Sequence, residues 1–133
     1  TVAVQLSPRT LLRAGYEYFH DDRTVDRGVS SFNGRPLDGF RSTFFGDPQV
    51  STSAARVHIT SALVEHRFGS GVTVRNRVSY ANYDKFYRNV FPGSVNPAGT
   101  QVSLSAYSND TQRTNLFNQT DVTLATRTGS VSH

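Results

Sequence analysis

Several residue types that would define a class of protein are missing from this chain of 133 residues. It has no cysteine, which excludes disulfide staples and thiolate metal sites. No apolar run approaches the roughly 18 residues that a transmembrane helix requires, and this excludes helical membrane spans only. The chain also lacks methionine and begins at Thr1 inside a strand-like segment. We therefore expect it to be a piece of a longer protein.

Lysine is almost absent, so positive charge is carried by arginine. The net charge is +4, thirteen of the 14 basic residues are arginine, and Lys85 is the only lysine. No run of five basic residues occurs, so the sequence predicts no nucleic-acid partner. Arginine offers a planar fork of donors that suits carboxylates, phosphates and buried ion pairs.

Patterns of catalysis and metal binding are absent as well. The sequence has no nucleophile elbow, glycine-rich phosphate loop or zinc-binding pattern, so we expect the protein not to be an enzyme. His58 and His66 are about 26 Å apart along an extended strand and cannot share a metal. The group His20-Asp21-Asp22 could bind a cation, but aspartate at the junction of a strand and a loop is ordinary turn chemistry. We predict no metal site and no protein-bound cofactor.

Apolar and polar residues alternate with a period of two, which is typical of β-strands. In the segment from residue 72, for example, Val78 and Tyr80 alternate with Arg77 and Ser79. Each predicted strand has one mainly apolar and one mainly polar face. The predicted strands are residues 1–7, 10–22, 55–68, 72–86 and 102–126. The pattern predicts an all-β fold.

The connections between these strands alternate between short and long. Pro8, the segment 69–71 and the segment 127–130 mark tight turns, whereas residues 23–54 and 87–101 form long loops. Every other connection of an up-and-down sheet lies at the same edge, so the short turns collect at one edge and the long loops at the other. Outer-membrane β-barrels show this asymmetry, with short periplasmic turns and long extracellular loops.

A soluble β-sandwich also alternates in this way, and two details favour the barrel. The predicted strands run to about 13 residues or more, whereas soluble strands have a mode near 5–6 and a membrane strand needs roughly 9–11. Tyr18 and Tyr80 lie roughly 20 Å from the turn edge that Phe68 marks, a spacing that resembles two aromatic girdles. We expect an antiparallel up-and-down meander of about five strands from a larger transmembrane β-barrel.

Two runs of sequence, residues 15–29 and 33–37, resemble TonB-dependent siderophore receptors, and the branch that imports ferric catecholates most of all. Shorter stretches similar to the same receptors are residues 65–68, 74–77, 109–113 and 128–133. Ser30 stands where such receptors often carry proline, and we expect this difference to loosen the loop. The resemblance implies a barrel of about 22 strands with a plugged lumen, of which this chain supplies roughly five strands.

The resemblance also implies a function and a location. Such receptors lie in the bacterial outer membrane, bind a ferric siderophore outside the cell and import it by TonB-coupled active transport. The iron arrives as a siderophore chelate, so the chain itself needs no cofactor. The implied partners are a ferric siderophore of the catecholate class, outer-membrane lipid, and the TonB complex through parts outside residues 1–133.

Residues that match the chemistry of such a ligand lie in the two long loops. A ferric catecholate is anionic and aromatic, so arginine forks and aromatic rings suit it. The candidates for ligand contact are Arg35, Phe40, Arg41, Phe44, Phe45, Tyr87 and Arg88. The alternative is that the three phenylalanines form a small satellite core that pins the loop.

Charged residues on the polar face of the strands form a second set, which we expect to face the lumen or the plug. They are Arg13, Glu17, Glu65, Arg67, Arg75, Arg77 and Asp121. Buried charges need partners, so we expect cross-strand ion pairs or hydrogen bonds to a plug. Cross-strand pairing alone would make these residues structural.

Two other functions stay open at this point. A soluble antiparallel β-domain would bind an anionic or aromatic ligand through the 23–54 loop. Its core would then bury the apolar face that a barrel turns toward lipid, formed by Val74, Val78, Tyr80, Val122 and Leu124. A receptor of the same family would import another cargo, such as a different iron chelate or cobalamin.

Overall fold

The computed structural model describes residues 1–133, which form strands and their connections without any helix. The strands are β1 (Val2–Ser7), β2 (Thr10–Thr24), β3 (Ser31–Phe32), β4 (Arg35–Pro36), β5 (Thr52–Arg67), β6 (Val72–Val95), β7 (Val102–Leu124), β8 (Arg127–Thr128) and β9 (Val131–Ser132). One sheet has the order β1-β2-β5-β6-β7, and β3–β4 and β8–β9 pair separately. The predicted all-β fold with an antiparallel sheet is confirmed. The chain has no helix that is long and apolar enough to cross a membrane.

The long strands continue further than the sequence pattern indicated. β6 has 24 residues and β7 has 23, so most of the predicted 87–101 loop belongs to strand β6. The chain reverses instead at Asn96, whose Oδ1 accepts the backbone N–H groups of Thr100 at 2.8 Å and Gln101 at 3.1 Å. An asparagine side chain that bonds in this way takes the place of a backbone hydrogen bond in the turn. The aromatic and β-branched residues before Asn96 favour the extended conformation, so β6 continues up to this turn.

The short connections are hydrogen-bonded turns. Phe68 donates its N–H to the carbonyl of Val72 at 2.8 Å, and Gly71 between them has a φ of 81°, which glycine adopts without steric cost. The predicted turn after β7 is the β8–β9 hairpin, closed by reciprocal backbone bonds between Thr126 and His133.

The chain divides into two compact units, each of which is described by itself. The turn half contains Thr1–Phe19, Val57–Tyr83 and Arg113–His133, and the loop half contains His20–Arg56 and Asp84–Gln112.

In the turn half, even-numbered side chains share one face of the sheet and odd-numbered side chains share the other. The cross-strand contacts that establish this are Thr10 with His66, Glu65 with Arg75, and Asn76 with Thr120. The even face exposes large apolar side chains on every long strand, namely Tyr16, Tyr18, Val64, Tyr80, Leu116, Val122 and Leu124. On the odd face of these strands, Phe19 and Phe117 are exposed.

Very little of the chain is buried. The buried hydrophobic residues are Val57, Leu63 and Ala81, all on the odd face. The exposed area is 9840 Å², whereas a globular monomer of this mass exposes roughly 6,900 Å². Val122 and Leu124, which a β-sandwich would bury in its core, are 65% and 57% exposed.

Candidate functional site

The long connection between β2 and β5 is held against strand β6 by buried polar groups. The Ser51 hydroxyl accepts the backbone N–H of Val90 at 3.1 Å, and Asn89 Nδ2 donates to the carbonyl of Val25 at 2.9 Å. Ser51 and Asn89 are almost completely buried. Backbone polar groups in such places need partners, so these side chains set where the loop begins and ends.

Ser30 anchors the middle of the same loop. It is buried and its hydroxyl donates to the carbonyl of Gly93 at 2.8 Å, while its own carbonyl accepts the N–H of Leu37 at 2.8 Å. The expectation that serine in place of proline loosens the loop stays a prediction, and the structure adds a bond that holds Ser30 to β6. A proline at this position could supply no hydroxyl, so serine adds an attachment to β6.

An arginine and three aromatic rings form a continuous row in the loop half. The Arg27 guanidinium lies 4.2 Å from the centre of the Phe91 ring. Phe91 meets Tyr107 edge-on with ring centres 6.5 Å apart, and Tyr107 lies 5.2 Å from Tyr87. The geometry suits cation–π and aromatic contacts, so the row presents one cation and several ring surfaces.

A pocket of about 290 Å³ lies beside this row and is called the aromatic pocket below. Tyr87 and Tyr107 line it with Lys85, and Ser53 and Ala55 supply small side chains from β5. The volume is just below the roughly 300–1,000 Å³ that ligand pockets span. Planar rings can stack against the tyrosines, and anions can pair with the nearby cations.

The predicted ligand residues fall in different places. Of these seven residues, Tyr87 alone lines the aromatic pocket. Arg88 donates from Nε to the carbonyl of Val50 at 3.0 Å and so fixes the loop. Phe40 and Phe45 contact each other edge-on with ring centres 5.5 Å apart, which is the contact that the satellite-core alternative predicts. The others are exposed Arg35 and Arg41 and half-buried Phe44.

Sequence reasoning missed four residues that build this region: Arg27, Asn89, Phe91 and Tyr107. Tyr87, Asn89 and Phe91 are spaced two apart on β6 and so share a face. That alternation was the available signal, but it fell inside the predicted 87–101 loop. Asn89 Oδ1 is buried and has no hydrogen-bond partner, so only one side of its amide is satisfied.

The charged residues predicted to line the polar face are partly paired in the turn half. Glu65 is buried and accepts bonds from Arg67 Nη2 at 3.1 Å and from Arg75 Nη2 at 2.6 Å. Asp121 accepts a bond from Gln119. Arg13, Glu17 and Arg77 have no ion pair. Of the charged residues in this set, only Glu65 and Arg75 form an ion pair between two strands.

Two histidines of the turn half, His58 and His66, bond across strands. His58 Nδ1 lies 2.7 Å from the hydroxyl oxygen of Tyr16, and His66 Nδ1 lies 2.8 Å from the hydroxyl oxygen of Thr10. No cluster of three or more histidine, aspartate or glutamate side chains has the arrangement of a metal site.

Comparisons with known proteins identify no relative of this chain. No protein-family model, no curated protein and no solved structure matches it.

Proposed function

We propose that this chain is part of a bacterial outer-membrane β-barrel receptor that binds a ferric siderophore and imports it by TonB-coupled transport. The proposal joins the resemblance carried by residues 15–29 and 33–37 to one observation. The strands of a single sheet expose apolar side chains on the even face and carry charges on the odd face in the turn half. A membrane strand needs this alternation because one face meets lipid and the other meets a polar lumen.

Strand length supports the same proposal. A barrel strand crosses the hydrocarbon region with roughly 9–11 residues. β2 and β5 have 15 and 16 residues, and β6 and β7 have more. Strands of this length span the bilayer and continue beyond it on the loop side. A soluble sandwich needs a second layer over the even face, and the exposure of Val122 and Leu124 favours lipid there.

The aromatic pocket is the proposed point of ligand contact. A ferric catecholate offers negative charge and flat aromatic rings, and the pocket is lined by Tyr87, Tyr107 and Lys85. Arg27 lies over Phe91, the next ring of the row after Tyr107. Binding then needs no covalent step, because stacking and charge-assisted contacts carry it. The iron travels inside its chelate as cargo. Energy coupling through TonB and the plug belongs to parts outside residues 1–133.

Ligand binding is tested with a ferric tris-catecholate complex as the probe and with the membrane-embedded protein that contains this chain. We expect Tyr107→Ser to weaken binding about two- to tenfold, because one aromatic contact contributes about 0.5–1.5 kcal/mol. Tyr107→Phe keeps the ring and should bind nearly as well as the unsubstituted protein. Fluorescence quenching during titration measures both dissociation constants.

Phe40→Ser is the matched control, because Phe40 is also exposed and belongs to the other aromatic cluster. It should leave the dissociation constant unchanged. If Phe40→Ser weakens binding and Tyr107→Ser does not, the ligand binds the 23–54 loop instead of the aromatic pocket. If the unsubstituted protein binds no ferric complex, the proposed cargo is wrong.

A further inference from the structure

The floor of the aromatic pocket is made of small side chains. Ser53 and Ala55 line the pocket and are two residues apart on β5, so they share one face of the strand. Neither side chain extends more than one atom beyond Cβ. The next residues of the same face are Val57 and Ile59, which are larger. The sheet surface is therefore low at the pocket and higher immediately beside it.

Tyr107 covers one side of Tyr87 and leaves the other side open to the pocket floor. Strand β6 lies between β5 and β7, and Tyr107 of β7 contacts Tyr87 of β6 with ring centres 5.2 Å apart. A ring inserted between two others needs roughly 7 Å, since carbon atoms are in contact at about 3.5–4.0 Å on each side. No ring fits between the two tyrosines. A ligand ring therefore stacks on the β5 side of Tyr87, above Ser53 and Ala55.

The volume of the pocket suits one ring of the ligand. A cavity of about 150 Å³ holds benzene. The aromatic pocket has about 290 Å³, whereas a tris-catecholate complex carries three rings around its iron. One ring with its two oxygens enters, and the other two rings stay outside.

The chemistry of the complex determines which edge of that ring enters first. Both oxygens of each catecholate bind the iron, so the metal and the negative charge lie at one edge, and the opposite edge carries only C–H groups. Lys85 lines the pocket and is exposed, so its long side chain carries the positive charge at the rim. The oxygens stay beside Lys85, and the C–H edge meets the floor of Ser53 and Ala55.

We propose that Ala55 determines the specificity of the aromatic pocket, because its short side chain admits the unsubstituted C–H edge of a single catechol ring. Ligands with bulk at this edge are excluded. The inference rests on the proposed function, in which the pocket contacts a ferric catecholate. It goes beyond that function by naming the residue that limits the ring and the edge of the ligand that it selects.

Two iron complexes that differ only at this edge test the proposal. The probes are ferric tris-catecholate and ferric tris(4-tert-butylcatecholate), and the intact membrane protein that contains this chain is titrated with each. Fluorescence quenching gives the dissociation constants. The unsubstituted protein should bind the tert-butyl complex about tenfold more weakly, because the ring loses its aromatic contact when it cannot enter.

Ala55→Leu adds the bulk from the side of the protein. It should weaken the binding of tris-catecholate about tenfold and leave the tert-butyl complex unchanged, so that the two probes bind alike. Ala55→Val, whose branched side chain favours a strand, should fall between. Ala106→Leu is the matched control, because Ala106 is exposed and precedes Tyr107 on β7, so its side chain lies on the opposite face. Both dissociation constants should stay as in the unsubstituted protein.

Three results would overturn the inference. The unsubstituted protein could bind the tert-butyl complex as tightly as tris-catecholate, or Ala55→Leu could leave the binding of tris-catecholate unchanged. Equal losses in Ala55→Leu and Ala106→Leu would also contradict it, because they would show a general effect on the sheet.

The failure of this inference can be told apart from the failure of the proposed function. If Tyr107→Ser weakens the binding of tris-catecholate and Ala55→Leu does not, the ligand still occupies the aromatic pocket, and only the role of Ala55 is refuted. If the unsubstituted protein binds neither probe, the proposed cargo is wrong and this inference fails with it.

Discussion

Replacing Gly46 by alanine should detach the long loop from strand β6. A Cβ at this position would overlap the backbone carbonyl oxygen of Val90, which cannot rotate away as a side chain does. Gly46 has no positive φ, so backbone strain does not contribute to the effect. The loop and β6 must therefore separate. Gly69→Ala is the matched control, because its Cβ would meet only the end of the Arg9 side chain at 3.5 Å.

The expected magnitude follows from the bonds that this close approach allows. The three bonds are Asn89 Nδ2 to Val25 O at 2.9 Å, Arg88 Nε to Val50 O at 3.0 Å, and Val90 N to Ser51 Oγ at 3.1 Å. Each contributes about 0.5–1.5 kcal/mol net, so losing all three lowers the free energy of opening the loop by about 1.5–4.5 kcal/mol. The open population should rise on the order of 10- to 1,000-fold.

Limited trypsin digestion measures this opening, because Arg27 lies within the loop and is packed over Phe91. When the loop opens and closes faster than trypsin cleaves, the cleavage rate follows the open population. Cleavage after Arg27 should therefore accelerate by the same factor in Gly46→Ala and stay unchanged in Gly69→Ala. Equal cleavage rates in both variants would refute the attachment of the loop to β6.

Two further substitutions test the buried polar groups. Ser51→Ala removes the buried hydroxyl that accepts the N–H of Val90, so loop opening should become easier by about 1–3 kcal/mol in the same digestion, whereas Ser42→Ala, at an exposed position, should have no effect. Glu65→Gln deprives two arginines of their carboxylate and should lower the midpoint of thermal unfolding, followed by circular dichroism in detergent micelles. Asp38→Asn, on an exposed loop residue, is its control, and equal midpoints would show that the Glu65 ion pairs do not stabilise the sheet.

The strands and their facing were predictable because both depend on local sequence. A period of two over Arg77, Val78, Ser79 and Tyr80 needs no knowledge of the rest of the chain. The turn at residues 69–71 is equally local, since glycine supplies its backbone conformation. The structure matches the sequence most closely where one residue and its near neighbours decide the conformation.

The row of side chains beside the aromatic pocket was not predictable, because it depends on pairings between distant segments. Arg27 comes from a loop, Phe91 from β6 and Tyr107 from β7, and only the register of these segments brings them together. Composition instead pointed to Arg35 and Arg41, which are exposed. Pro92 and Gly93 are typical turn residues, so the sequence predicted a loop where β6 in fact continues to Val95. The alternation of side chains that places Asn89 under the loop was therefore not recognised.

Cysteine labelling in the membrane tests the two-faced sheet most directly, since the chain has no cysteine of its own. Single cysteines at Val78 and Tyr80 and at Arg77 and Ser79 are exposed to a lipid-phase and an aqueous thiol probe. We predict that the two even positions take the lipid probe and the two odd positions do not. If neither pair reacts with the lipid probe, the strands do not span a membrane, and a soluble ligand-binding β-domain becomes the leading explanation.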